Sequence, residues 1–512
     1  YEYNNTNACA GTNSLLPSVT IVKDVLLPAQ CATICKSNST CNSWAWSPNS
    51  HNCYERSDTL WELGSPNTGY VSGCNEAKIW NCGYSPATSS CPSHFTPPAT
   101  AAKQPPPIGP VEYALTIKVG AVNRTLNQFR MLGVNFDFWP RNKDQWDGCG
   151  VLDSDLTDPG LLTLASKLNG SLLRMGGSPA DFLLYDVFPG ACSADRLNRT
   201  QSKTSSGYFC PIWHQVQGQC LTMERWEAIN KFALSVGFTI LFDLNACWGR
   251  QNSSAAMDMS MISGLISYTA TMAASSTSAV YGFAFGNELY TNVEGLRYGT
   301  DIVTLATMIK QAWSTLAPTA HIPVIIGPDN GWEDMSSSHL DEILNVTKGA
   351  MVASSFHDYQ NDCFDSFSSP ALIGNVSCFD NSISEILARF NSVMTQRKSE
   401  LWCTECGPHS NSGVDGLTNS YTSTMWYVDA LGMFSRSGFG ILSRQTLLGG
   451  DYELINRTTG QPNPDFYGAV LWHDLMGADV RKVEVAGCES VPTTPSWSSA
   501  SSSSSSSRDV NV

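Results

Sequence analysis

Eight short apolar runs, each leading into a polar or ionisable residue, constrain this chain more than any other feature. In order they read RMLGVNFD, SLLRMGG, FTILFDLN, YGFAFGNE, PVIIGPD, MVASSFH, ELWCTE and GFGILSR. Such runs are strand signals, and helical patterns lie between several of them. In LTMERWEAINKFALSVG, Trp226, Ile229, Ala233 and Val236 fall on one helical face, and Gly237 can supply the C-terminal cap. Eight strands with helical crossovers predict an α/β fold, a (β/α)8 TIM barrel, with a doubly wound open sheet as the alternative. In such barrels the strand C-termini carry the chemistry. The strand-end set is Asp137, Asn245, Glu288, Asp329, His357, Glu405 and Arg444.

Two carboxylates stand out. Glu288 follows YGFAFGN directly and Glu405 follows ELWCT, at the ends of the fourth and seventh strand signals. Those strands face one another across a barrel mouth. A carboxylate there must be solvated, paired or used, because burying it alone is costly. A facing pair can divide acid/base and nucleophile duties on a glycosidic bond, at about 5–5.5 Å if configuration is retained. The amide of Asn287 could hold a sugar hydroxyl beside them.

Structural readings compete at every one of these positions. A strand-end Glu often pairs with a neighbouring Arg and merely ties strands together. His357 alone is more commonly a satisfied core histidine, Tyr452 could be a rim aromatic, and Arg174 could neutralise a buried carboxylate. Asn preceding one Glu, and the second Glu falling at the facing strand, weigh against the structural reading for that pair.

Composition narrows the partners. The net charge of −15 with 30 Lys+Arg gives no footprint for nucleic acid or another polyanion. No apolar run is long enough to span a bilayer. Eighteen cysteines and the sequons at Asn4, Asn38, Asn123, Asn169, Asn198, Asn252, Asn345, Asn375 and Asn456 indicate an oxidising, glycosylating compartment. A start at Tyr1 without Met fits a processed secretory chain, destined for the extracellular matrix or cell wall. The cysteines lack zinc-finger spacing, so neither a metal nor a cofactor is predicted.

Four segments follow. Residues 1–76 hold Cys9, Cys31, Cys35, Cys41, Cys53 and Cys74, a disulfide-stapled module, since so short a segment has little core. With CATIC opening a helix and CNSWAWSP as a strand, it resembles a PAN/apple domain. That resemblance implies bridges Cys9–Cys74, Cys31–Cys53 and Cys35–Cys41, and a role in binding an extracellular protein or carbohydrate. Residues 77–110 form a Pro/Ser-rich linker, with Cys82 and Cys91 closing a local loop. Residues 111–482 hold the barrel, and 483–512 a Ser-rich tail that cannot build a core.

LLRMGGSPADFLLYD, GFAFGNELY, IIGPDNG, SFHDYQ, LWCTEC and MWYVDALGMFSRSGFGILSRQTLLGGDYELIN together resemble the heparanase-like enzymes of glycoside hydrolase family 79, across roughly residues 128–480. The resemblance implies a retaining β-glucuronidase-like activity on extracellular or cell-wall glycans, with Glu288 as general acid/base and Glu405 as nucleophile. It implies that Asp137, Ser178, Asn245, Asn287 and Tyr452 line the sugar site, and that His357 and Tyr359 orient the nucleophile.

The match departs from the family in three places. NGWEDMSSS, after IIGPD, is acidic where sulfate-binding clusters would lie. CGPHSNSGVDG lacks the run of glycines whose amides would receive a uronate carboxylate. The family's C-terminal β-sandwich is expected to be truncated, missing or supplied by another chain. These departures keep open a second reading, a retired barrel serving as a structural or carbohydrate-binding glycoprotein in an extracellular assembly. Cys403 and Cys406 are expected to bridge to other loops because their span is short, with Cys363–Cys378 and Cys210–Cys220 as loop closures.

Overall fold

The computed structural model describes residues 3–4, 19–22, 43–47, 52–56, 71–74, 116–140, 143, 145–201, 219–289, 292–333, 335–361, 381–390, 400–486 and 510–511. The chain divides into two compact units, Tyr1–Pro92 and Ser93–Val512. In the first, Tyr3–Asn4, Val71–Cys74, Ser43–Ser47, Asn52–Arg56 and Val19–Val22 form an antiparallel sheet in that spatial order. The disulfide pairings expected for that module, the linker and Cys363 with Cys378 lie outside the described side chains.

The second unit is a closed barrel of eight parallel strands, all eight of them read from the sequence. They are β1 (Met131–Asn135), β2 (Leu172–Met175), β3 (Thr239–Leu244), β4 (Val280–Phe285), β5 (Val324–Gly331), β6 (Ala353–Tyr359), β7 (Glu400–Gly407) and β8 (Phe439–Arg444). Closure comes from the parallel pairing of β8 with β1, Ile441 opposite Met131, which a doubly wound open sheet does not make. Helices flank the strands. Met223–Val236 runs between β2 and β3, capped by the Thr222 hydroxyl at the Arg225 amide and by left-handed Gly237, with Trp226, Ile229, Ala233 and Val236 buried as their spacing requires.

The barrel interior changes character along its axis. Leu172, Leu241, Ala284, Ile326, Ala353, Trp402 and Ile441, one from each of β2 to β8, pack with Phe129 into an apolar plug. Side chains on a strand repeat their direction every second residue. Two positions beyond the plug stand Arg174, Asp243, Ser355, Thr404 and Ser443, all buried. The same inward stripe therefore turns from apolar to polar toward the strand C-termini, and the polar layer has to be satisfied internally or used.

Outside the barrel, Thr116–Thr125, Asp479–Ala486 and Val510–Asn511 form a small antiparallel sheet. Cys192, beyond the short strand Leu183–Tyr185, bonds Cys220 on the parallel strand Gln219–Leu221, their Cα atoms 5.8 Å apart. This corrects the expected Cys210–Cys220 closure: Cys220, opposite Leu184 in the strand pairing, is bonded by Cys192 from the chain that follows Leu183–Tyr185. Of the sequon asparagines, Asn123, Asn169, Asn252 and Asn345 are exposed, whereas Asn456 is half-buried and accepts from the backbone of Thr458 and Thr459. Among the described residues no helix is long and apolar enough to cross a membrane.

Candidate active site

Arg174 organises the polar layer. Its Nη1 donates to Glu405 Oε2 at 2.6 Å, and its Nη2 to Asn287 Oδ1, Asp243 Oδ2 and Asp329 Oδ2 at 2.8, 3.1 and 3.3 Å. The guanidinium is fully buried, and buried charge persists only where it is paired with good geometry. The task of neutralising a buried carboxylate, read for Arg174 from sequence, is here extended to three. The two Asp partners are driven apart. Burial pushes Asp243 well above the usual carboxylate range despite Arg174, whereas at Asp329 burial is outweighed by Arg174 and by His357, 3.9 Å away, which hold it down to about 2.

Glu405 projects from a bulge in β7. Cys403 lies opposite Phe356 and Glu405 opposite His357 on β6, so Thr404 is an extra residue. Tyr359 OH donates to Glu405 Oε1 at 2.6 Å, while Arg174 holds the other oxygen. Burial works to raise its pKa, but the charges of His357 and Arg174 and the two hydrogen bonds keep it below the ordinary glutamate value. Such a carboxylate is ionised in mild acid and fixed in direction, as a nucleophile must be. Cys403 and Cys406 are bonded to each other across this bulge, with Cα atoms 6.0 Å apart. The expectation that each bridges elsewhere is thus overturned, because the bulge shortens the span.

Glu288 follows β4 with a left-handed backbone, φ 51°, and its amide donates to the Asp329 carbonyl at 2.8 Å. Non-glycine residues held there cluster at functional sites. Its side chain is 23% exposed, against 8% for that of Glu405. His357 Nδ1 lies 2.9 Å from Glu288 Oε1 and 3.9 Å from Glu405 Oε2. Burial disfavours the imidazolium, yet the Glu405 charge, the bond to Glu288 and the Asp329 carboxylate 3.9 Å away raise His357 to about 10. His357 is therefore a proton donor to Glu288. Of the two residues expected to orient the nucleophile, Tyr359 bonds Glu405 directly, while His357 stands 3.9 Å from it.

These groups open on a cleft of about 340 Å³, lined among others by Asp137, Ser178, Trp332, Glu333, Asn411 and Tyr452. Asp137 Oδ2 accepts from Gln445 Nε2 at 2.6 Å, while Oδ1 has no protein partner. Burial, and then repulsion from Glu405, raise it to about 7. Tyr452 is buried and stacks on Tyr359, ring centroids 6.5 Å apart. On the rim, Lys143 Nζ sits 4.6 Å over the Trp139 ring.

Some candidates lie elsewhere. Asn245 is no part of the cleft lining: its Oδ1 accepts from the amides of Cys247 and Trp248, and its Nδ2 donates to the Leu183 carbonyl, so it organises the loop after β3. Asn287 stands behind the cleft with its amide oxygen taken by Arg174, leaving Nδ2 as the donor it can offer. Arg444 pairs with Asp465 at 2.6 Å, a structural contact. Sequence reasoning missed Asp181, whose two oxygens accept from the amides of Ala246 and Asn287 and so tie the ends of β3 and β4 together. It also missed Gln445, which follows the last strand directly, although that position was itself a signal.

Oxygens of Glu288 and Glu405 and a ring nitrogen of His357 lie within 4.8 Å of one another. Two carboxylates and an imidazole this close together are the groups that proton transfer between an acid and a base requires.

The chain matches the model of Glycosyl hydrolase family 79, N-terminal domain, over residues 115–432. It is 31% identical over 373 residues to heparanase-like protein 1 of Arabidopsis thaliana, covering 69% of this chain and 64% of that protein. It is 26% identical to baicalin-β-D-glucuronidase of Scutellaria baicalensis, covering 69% of each. Among solved structures, a family 51 α-L-arabinofuranosidase from Bifidobacterium longum superposes with a TM-score of 0.48 at 11% identity, covering 73% of this chain and 79% of that one. The matched segment spans 64–66% of the length of the Arabidopsis heparanase-like relatives. With its family model covering more than half of the sequence, this chain belongs to glycoside hydrolase family 79.

Proposed function

We propose that the chain is a retaining β-glycosidase, glucuronidase-like, secreted and acting on extracellular or cell-wall glycans, with its N-terminal module as a binding unit. The observation that carries this reading is the closeness of Glu288 and Glu405, an oxygen of one lying within 4.8 Å of an oxygen of the other. Retaining pairs sit at about 5–5.5 Å, whereas inverting pairs need about 6.5–9.5 Å to admit a water. Glu405, ionised and held by Tyr359 and Arg174, attacks the anomeric carbon while Glu288 protonates the leaving oxygen. Glu288 then takes a proton from water as that water releases the sugar. His357, bonded to Glu288, positions it through both steps.

A uronide is supported by the loop after β7. Asn411, Ser412 and Gly413 carry φ of 53°, 71° and 79°, so the left-handed backbone that glycines would favour is adopted without the glycine run. Gly413 spends its amide on the Ser410 carbonyl, so the amides of Asn411 and Ser412 are the ones this turn can offer a carboxylate. Among the described lining residues Lys143 is the one lysine or arginine, and Glu333 adds a carboxylate to the same lining. That balance suits a single sugar carboxylate better than a sulfated polymer.

The test is hydrolysis of aryl β-glycosides, starting with the glucuronide, by the wild-type chain and by Glu405→Gln and Glu288→Gln. Each variant should lose at least roughly 100-fold in kcat. A folded wild-type protein that turns over no glycoside would reject the reading in favour of a carbohydrate-binding or structural barrel.

A further inference from the structure

We propose that the Cys403–Cys406 disulfide is a positioning element for Glu405, locking the bulge that presents its carboxylate. This rests on the reading of Glu405 as nucleophile. Against both neighbours β7 carries one residue too many: Thr404 has no counterpart between Phe356 and His357, and the segment from Cys403 to Cys406 spans only Leu442 to Arg444. In an unbroken strand, residues three apart have Cα atoms about 10 Å from each other, outside the roughly 4.4–6.8 Å that a disulfide spans. Here the separation is 6.0 Å. Bulge and disulfide are therefore one feature, and straightening the strand would break the bond.

The two residues enclosed make the critical contacts. Thr404 Oγ1 donates to Asp329 Oδ1 at 2.7 Å, and Glu405 is held at 2.6 Å by Tyr359 and by Arg174. An extra residue in a strand can migrate by one position, and each such slip turns the side chain at a given position to the opposite face. Migration past Glu405 would turn its carboxylate out of the cleft. With Cys403 and Cys406 joined, the insertion is confined between them. Both sulfur-bearing residues are buried, so the bond is a permanent part of the site, reached by reductant only on local opening.

The test compares Cys403→Ala/Cys406→Ala with Cys192→Ala/Cys220→Ala, which removes a disulfide elsewhere. In the first, kcat on an aryl β-glucuronide should fall at least roughly tenfold with KM within about twofold, since small misplacement of a reacting group costs up to about 100-fold. The acidic limb of kcat/KM should also move to higher pH as Glu405 loses its hydrogen bonds. The control should lose thermal stability alone. Unchanged kcat and acidic limb in the first variant would overturn the proposal.

Should that variant fail to fold, the wild-type chain is held in dithiothreitol. Each disulfide there takes two electrons and two protons from the dithiol, giving two cysteine thiols and a cyclic disulfide. Activity must fall in step with the Cys403–Cys406 thiols found by alkylation and peptide mass spectrometry; full activity with that pair reduced overturns the idea. If the wild type hydrolyses no glycoside, the functional reading fails by itself. The lock is then judged from crystal structures of wild type and variant, and is rejected if Glu405 keeps Tyr359 and Arg174 without the disulfide.

Discussion

Arg174 reaches across the barrel interior from β2 to hold Glu405 on β7 at 2.6 Å. The same guanidinium also faces Asp243 and Asp329, so its loss strands several buried carboxylates together. Removing one partner of a buried ion pair costs about 3–5 kcal/mol. Arg174→Met is expected to lose stability on that order in denaturant melts. Arg174→Lys, keeping charge without the fork of donors, should fold and still lose roughly 100-fold in kcat. A lysine variant with wild-type kcat would remove Arg174 from the account of Glu405.

Tyr359 offers a milder perturbation. Its hydroxyl is one of the groups that hold Glu405 below the ordinary glutamate range. In Tyr359→Phe the nucleophile should ionise at higher pH, so the acidic limb of kcat/KM moves up while the alkaline limb stays. A kcat loss of about 10–100-fold accompanies it, as for removal of one oriented hydrogen bond to a reacting group. Stopped assays across pH 3–8 would decide, and an unmoved acidic limb would count against the assignment.

The barrel was readable because its strands are short apolar runs whose last residues change abruptly to polar ones. Glu288 and Glu405 could be singled out because each directly follows such a run. What could not be read was where side chains of different strands meet. Nothing in the local sequence says that His357 turns to Glu288, that Asn245 spends its amide on its own loop, or that Asp181 ties two strand ends together. The Cys403–Cys406 bond escaped for a related reason: spacing rules assume a regular strand, and the extra residue that shortens the span is defined only by pairing with β6 and β8.

Buried titrating groups set an expected pH dependence of stability. Asp137 and Asp181 are both raised from 3.8 to about 7, foremost by burial. A raised folded pKa means that the native state binds more protons than the unfolded one. The stabilisation is complete below about 3.8 and is lost as pH climbs through about 7. His357, raised from 6.5 to about 10, adds a loss of the same sign between those values. Asp329, lowered to about 2, acts oppositely, its contribution being lost as pH falls through that value. Thermal melts should therefore show a higher Tm at pH 5 than at pH 8, with a fall below pH 3. A Tm that rises steadily from pH 5 to 8 would contradict this assignment of charges.

Gly177 tests the wall of the cleft. Its φ is +80°, and a Cβ there would meet Asp137 Oδ2 at 2.6 Å and Cγ at 2.8 Å. Gly190 has the same φ of +80°, yet its Cβ would meet nothing within 4 Å. Alanine is strained by the positive φ at either site, and at Gly177, whose ψ is 168°, the backbone lies in a region that essentially only glycine adopts. They differ in what the methyl group strikes. In Gly177→Ala the Asp137 carboxylate must shift from Gln445, and with it the part of the cleft wall that Asp137 forms. Gly177→Ala is expected to lower kcat/KM at least roughly tenfold, chiefly through KM, as befits a displaced hydrogen-bond partner for a sugar hydroxyl. Gly190→Ala should lose stability and keep kcat/KM within about twofold. Equal kinetic losses in both would show that backbone strain, and not the position of Asp137, governs the effect.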